Sequence, residues 1–141
     1  MTGFRDLEPM TYFGERCASV LRAIGWLDRE IPFRRGASDG AVFQRLAELF
    51  EDPFQPFVAG GGHACNVCQF RAERSGSSNL FVPGEGFLFV CPELIIHYIN
   101  AHEYCPPTEF VDALLRCPNT RSIEYKRRFL ENGGRILILP H

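Results

Sequence analysis

The chain has 141 residues, 45% of them apolar, 13% aromatic and 23% charged, an ordinary globular composition at about the modal size of one domain. Fifteen basic against seventeen acidic residues leave a net charge of -2, so bulk attraction to nucleic acid or anionic lipid is not the main design. No apolar run approaches the ~18–20 residues of a membrane span, and residues 1–6 carry charge where a secretory signal would build its apolar region. We therefore read one cytoplasmic domain over residues 1–141, with no membrane partner.

In chain order, the first dozen residues mix Phe4, Tyr12 and Phe13 with Pro9 and read as an irregular arm packed on the body. The stretch from Cys17 to Leu27 is ambiguous: Cys17, Val20, Leu21 and Ile24 fit a helical face, while Val20–Leu27 has strand-like content. Gly25-Trp26-Leu27 is a poor helix ending, which tilts this stretch to strand. Residues 32–36 read as a loop. Val42, Phe43, Leu46, Leu49 and Phe50 recur at helical spacing, with Ser38 or Asp39 as N-cap, and predict a helix over about 40–51 that stops before Pro53. A loop over 53–62 ends in three glycines, which let the backbone turn sharply before Cys65.

After a polar segment, the runs 79–82 and 87–90 flank Pro83-Gly84-Glu85-Gly86 and predict a hairpin with a four-residue loop. Pro92-Glu93 opens a helix running to about His102. Pro106-Pro107 ends it and starts another, with Phe110, Val111, Leu114 and Leu115 as its apolar stripe. A last helix over about 122–132 closes at Gly133-Gly134, and residues 136–139 read as a terminal strand. The class is α+β: a small antiparallel hairpin or sheet with several packed helices.

Six cysteines would suit three disulfides only in an oxidising compartment and a scaffold short of core. In a reducing compartment, closely spaced cysteines are metal ligands or catalytic groups. Cys65 and Cys68 are spaced C-x2-C, and His97 and His102 are spaced H-x4-H; both spacings suit structural zinc. Residues five apart on a helix differ by about 140° and roughly 7.5 Å in height, so the two imidazoles converge only if the last turn loosens, which we expect near Cys105-Pro106-Pro107.

Knuckle, hairpin, then a helix with two histidines is the ligand order of treble-clef and expanded zinc-finger modules. The excursion from Cys68 to His97 is longer than the ~12–15 residues of a compact DNA-reading finger. Taken singly, each of these residues reads as plain core; together they point to one zinc ion, Zn2+. His63, Cys91 and Cys105 remain substitutes, Cys105 for His102 foremost. Four protein ligands make a closed, structural site, since catalytic zinc keeps a position open.

Other chemistry finds less support. A zinc deaminase needs H-x-E before its P-C-x-x-C, and His63-Ala64-Cys65 lacks it. A thioredoxin-type pair wants a βαβ setting that the order of elements does not give. A Cys–His nucleophile using His63 rests on proximity alone. The three glycines precede a knuckle, not a helix with Lys-Ser/Thr, so they are no phosphate loop. The Arg121–Arg135 segment is basic, and a solvated helix face explains it better than a nucleic-acid surface. Exposed aromatics are expected in the loop 54–58 and at Tyr12-Phe13, where an apolar patch would suit a protein partner.

Asp6-Leu7-x-Pro9-x-x-Tyr12, Gly25-Trp26-Leu27-Asp28 followed by Pro32-Phe33, the knuckle, residues 79–84, and the histidine helix from Pro92-Glu93-Leu94 through His97, His102, Tyr104 and Pro106-Pro107 together resemble a family of small bacterial proteins of unknown function. The resemblance covers most of the chain to about Arg121, and its most specific parts are the knuckle and the histidine helix. It implies Cys65, Cys68, His97 and His102 as metal ligands, with Cys91 and Cys105 as local variations, and brings no established activity. Small solo bacterial domains of this kind are sometimes immunity-type or antitoxin-like partners.

The resulting expectation is a zinc-stapled protein-interaction module, an immunity-type or antitoxin-like inhibitor in its most concrete form, and no enzyme. The first alternative is a nucleic-acid-associated regulator using Arg121–Arg135, and the second is a thiol- or metal-dependent enzyme.

Overall fold

The computed structural model describes residues 3–56, 63–68, 75–76 and 78–138. Its elements are α1 (Glu15–Ala18), β1 (Leu21–Ala23), α2 (Gly40–Phe50), β2 (His63–Ala64), β3 (Ser75–Gly76), β4 (Asn79–Pro83), β5 (Leu88–Pro92), α3 (Ile95–His102), α4 (Thr108–Arg116), α5 (Ile123–Phe129) and α6 (Arg135–Ile138). The architecture is α+β. The expected hairpin forms, with Asn79 opposite Pro92 and Pro83 opposite Leu88. Every residue of β5 is buried, which explains why that run is continuously apolar: both of its faces are covered.

The sheet departs from the antiparallel expectation. Its order is β1-β5-β4, and β1 joins β5 in parallel, Leu21 opposite Leu88 and Ala23 opposite Val90. A parallel pair needs a long crossover, so nothing local in a three-residue strand announces a partner so far along the chain. The ambiguous stretch divides: one helical turn at Glu15–Ala18, then β1. Beyond it the Val90 carbonyl accepts from the Ile24 amide at 3.0 Å and the Trp26 indole Nε1 at 2.9 Å.

The 4–10 arm packs on the body as expected and closes β1's outer edge. Leu7 N donates to Ala23 O (2.7 Å), Ala23 N to Glu8 O (3.0 Å) and Met10 N to Leu21 O (3.3 Å). The outer edge of β4 is closed by side chains: the Tyr125 hydroxyl donates to Phe81 O at 2.5 Å and Gln55 Nε2 to Asn79 O at 2.6 Å.

Helix α2 matches its prediction, with Asp39 Oδ1 accepting from Ala41 N at 2.9 Å as the N-cap; Val42, Leu46 and Leu49 are buried while Phe43 lies at the surface. Helix α3 begins at Ile95, three residues later than expected. Pro92 remains in β5 and Glu93 N extends the ladder to Ser78 O at 2.9 Å, because a proline that ends a strand loses no ladder bond it needs. Helix α4 buries Phe110 and Leu114 but leaves Leu115 49% exposed, so its stripe is narrower than the sequence suggested.

The terminal strand expected at 136–139 is not formed. Residues 135–138 are a helical turn with Leu137 buried, and Leu139 lies outside the described residues. The Ile136–Ile138 run closes its backbone within a helical turn instead of joining the sheet. The turn that redirects it is Gly133, at φ 109°, where a Cβ would stand 2.6 Å from Val20 Cβ.

Polar tips anchor the large buried rings. The Tyr104 hydroxyl donates to Asp6 Oδ2 at 2.8 Å, while Gly25 N donates to Asp6 Oδ1 at 3.0 Å. The aromatics expected to be exposed are instead packed: Tyr12 and Phe13 against Trp26, and Phe54 against Tyr125 and Phe129. Phe57 and Val58 lie outside the described residues.

Gly25 decides how α3 seats. It sits at φ 71°, and an added Cβ would stand 2.9 Å from Ile95 Cγ1, on the first residue of that helix. Gly25→Ala is expected to destabilise the fold by about 2 kcal/mol, from backbone strain and displacement of Ile95; denaturant melts of the two proteins measure it.

Candidate metal centre

Helix α3 carries His97 in its first turn and His102 as its last residue, and its end loosens as convergence requires. The loosening falls at Glu103, before the anticipated Cys105-Pro106-Pro107. Glu103 is left-handed (φ 56°, ψ 27°), and the Glu103 and Tyr104 amides both donate to Tyr98 O. The two imidazole rings then meet edge to face, 5.0 Å between centroids. The Arg35 guanidinium fixes the end of the turn by donating from Nη1 to His102 O at 3.2 Å.

Cys65 and Cys68 come from the turn that follows β2. Cys65 Sγ lies 3.5 Å from His102 Nε2, and Cys68 Sγ lies 3.4 Å from His97 Nε2 and 3.3 Å from His102 Nε2. One ligand-type atom from each of the four residues falls within 4.8 Å of all the others. A tetrahedral zinc ion with its usual bond lengths separates a sulfur from a nitrogen by about 3.5 Å. The observed spacings fit that edge length, so the donor set fits the metal.

The electrostatics point the same way. Burial, then the neighbouring Cys65, holds the Cys68 thiol above its ordinary acidity range, because a second thiolate beside the first is disfavoured until a cation joins them. Burial, then Arg35, pulls His102 below the usual imidazole range, which keeps it neutral and able to ligate. Burial, followed by Cys65, Cys68 and Asp28, raises the Tyr98 phenol so that it stays protonated beside the cluster. The C-terminal end of a helix also carries partial negative charge and favours a cation.

Among the described side chains, Cys91 and Cys105 lie outside the group. Cys91 is fully buried and its thiol is pushed well up by that burial; Cys17 and Cys117 are likewise buried thiols. Cys105 Sγ turns toward Pro106 O at 3.9 Å. The side chain of His63 and the three glycines 60–62 lie outside the described residues. The sequence reading missed the residues that grip the knuckle from outside. Asn66, between the two cysteines, contacts Asp28 and Arg29, and no short-range pattern pairs positions so far apart.

Of the basic segment, Arg121 pairs with Asp52, and Arg127 and Arg128 both pair with Glu124.

Residues 2–115 match the family described as Domain of unknown function (DUF7919), and the chain belongs to that family. The match spans the knuckle and the histidine helix and stops within α4. No curated protein and no solved structure matches the chain.

Cys65→Ser or His97→Ala is expected to remove bound metal and lower the melting temperature by roughly 10 °C or more, since metal binding and folding free energy are shared. Cys105→Ser should leave metal content at the wild-type level. Elemental analysis and thermal melts of the three variants check both expectations.

Proposed function

We propose that Cys65, Cys68, His97 and His102 hold one Zn2+ in a closed structural site, and that the domain so stapled is a protein-interaction module and not an enzyme. The observation that carries the metal is the set of sulfur–nitrogen spacings of 3.3–3.5 Å. Two thiolates and two imidazoles at tetrahedral spacing select zinc among the common cations. Four protein donors complete its coordination, which leaves no position for a reacting water. The ion would fasten the knuckle to the end of α3.

A reducing, cytoplasmic setting is supported by none of the six cysteines being joined in a disulfide. Among the described residues no helix is long and apolar enough to cross a membrane. The protein-contact role is supported by two branched aliphatic side chains at the surface, Leu115 at 49% and Ile123 at 86% exposure. They stand at the end of α4 and the start of α5, on either side of the 117–122 connection. An immunity-type or antitoxin-like inhibitor is the form of this role that we put forward for test.

Leu115→Glu and Ile123→Glu are expected to leave zinc content and melting unchanged. Each should weaken a stoichiometric partner, recovered from the native host, by roughly tenfold or more. Equal affinity of both variants for that partner removes this surface from the proposal. Retention on DNA or RNA that falls steeply with salt would put the nucleic-acid alternative in its place.

A further inference from the structure

We infer that Asp28, Arg29 and Asn66, none of them a ligand, form a latch that holds the cysteine knuckle ready for metal and thereby sets the affinity of the site. The inference deepens the zinc reading above and rests on it. Three hydrogen bonds make the latch. Asn66 Nδ2 donates to Asp28 Oδ2 at 2.9 Å, Arg29 N donates to Asn66 Oδ1 at 3.1 Å, and Arg29 Nε donates to Asn66 O at 2.7 Å. Both ends of the Asn66 amide and its main-chain carbonyl are thus held by one two-residue segment.

That segment is itself rigidly built. Asp28 is 1% exposed, an unusual place for a carboxylate. Its second oxygen, Oδ1, accepts from Glu30 N at 2.9 Å, and its main-chain carbonyl accepts from Ile31 N at 3.0 Å, closing a tight turn. The N-terminal arm lies against it so closely that a Cβ on Gly3 would stand 2.4 Å from Asp28 Cβ. A buried carboxylate persists only with its oxygens satisfied, and here one oxygen serves the turn while the other serves the knuckle.

Asn66 is adjacent to Cys65 and two residues from Cys68, so fixing its backbone and amide fixes where the two sulfurs start. Among the described residues the β2–β3 ladder that carries the knuckle pairs His63 with Gly76 and Ala64 with Ser75. The latch adds to that ladder a hold on the turn between the two cysteines. Ligands ordered before the ion arrives lose less freedom on binding, and outer contacts of this kind commonly alter metal affinity by about 10–100-fold.

The test uses full-length protein loaded with Zn2+, with affinity measured by chelator competition at fixed pH, and Co2+ in place of zinc to report the donor set by its absorption bands. Asn66→Ala should weaken metal binding by about 10–100-fold while one ion per chain and the tetrahedral cobalt spectrum are retained. Arg29→Ala, at an exposed position, should weaken it in the same direction. The exchange of Asp28→Asn with Asn66→Asp keeps every donor and acceptor paired with roles reversed. It should bring affinity back to within about threefold of wild type, where each single substitution stays weak.

Wild-type affinity in Asn66→Ala, or a double exchange no tighter than its singles, overturns the latch while leaving the zinc site standing. A wild-type protein that binds no stoichiometric metal removes the zinc reading and the latch together.

Discussion

Two thiols and two imidazoles drawn within 4.8 Å of one another are an uneasy neighbourhood for a protein to build. One thiolate opposes the ionisation of the next, and half-buried imidazoles give up water. A dication held there would neutralise the sulfurs and accept the nitrogen lone pairs, and the fold around the group keeps the four side chains converged. The left-handed Glu103 ends α3 directly after His102, whose ring meets that of His97 edge to face. The rigid turn at Asp28 brings the knuckle to meet them.

The sheet is the fixed frame for both parts. Strand β5 leads into α3, so the histidine helix inherits its direction from a strand whose every residue is buried. The Val90 carbonyl on that strand receives both Ile24 N and the Trp26 indole, placing the 24–28 segment against the start of α3. Gly25 allows the approach, because no side chain stands between it and Ile95. Thus one central strand orients the histidines directly and, through Trp26 and the turn after it, orients the segment that grips the cysteines.

Much of this was legible in the residues and some was not, for physical reasons. The α2 helix, the hairpin and the histidine helix announce themselves through short-range periodicity and turn chemistry, signals that act within a few residues. The four metal-type side chains were visible because two permitted spacings bracket one hairpin. The parallel pairing of β1 with β5 was invisible, since it joins residues more than sixty positions apart. The 135–138 turn was misread because its Ile-Leu-Ile composition favours a strand, while its direction is set by the left-handed Gly133 just before it. Tyr12, Phe13 and Phe54 were misplaced for a related reason: their burial depends on Trp26, Tyr125 and Phe129, partners supplied from elsewhere in the chain.

The closed borders of the three-stranded sheet limit what the molecule can do with other chains. An open border offers unpaired amides and carbonyls to any extended peptide and invites self-association by strand addition. Here the arm covers one border, and Tyr125 and Gln55 occupy carbonyls along the other. An extended peptide at this sheet would first have to displace those groups, which favours recognition by side chains on helices and their connections.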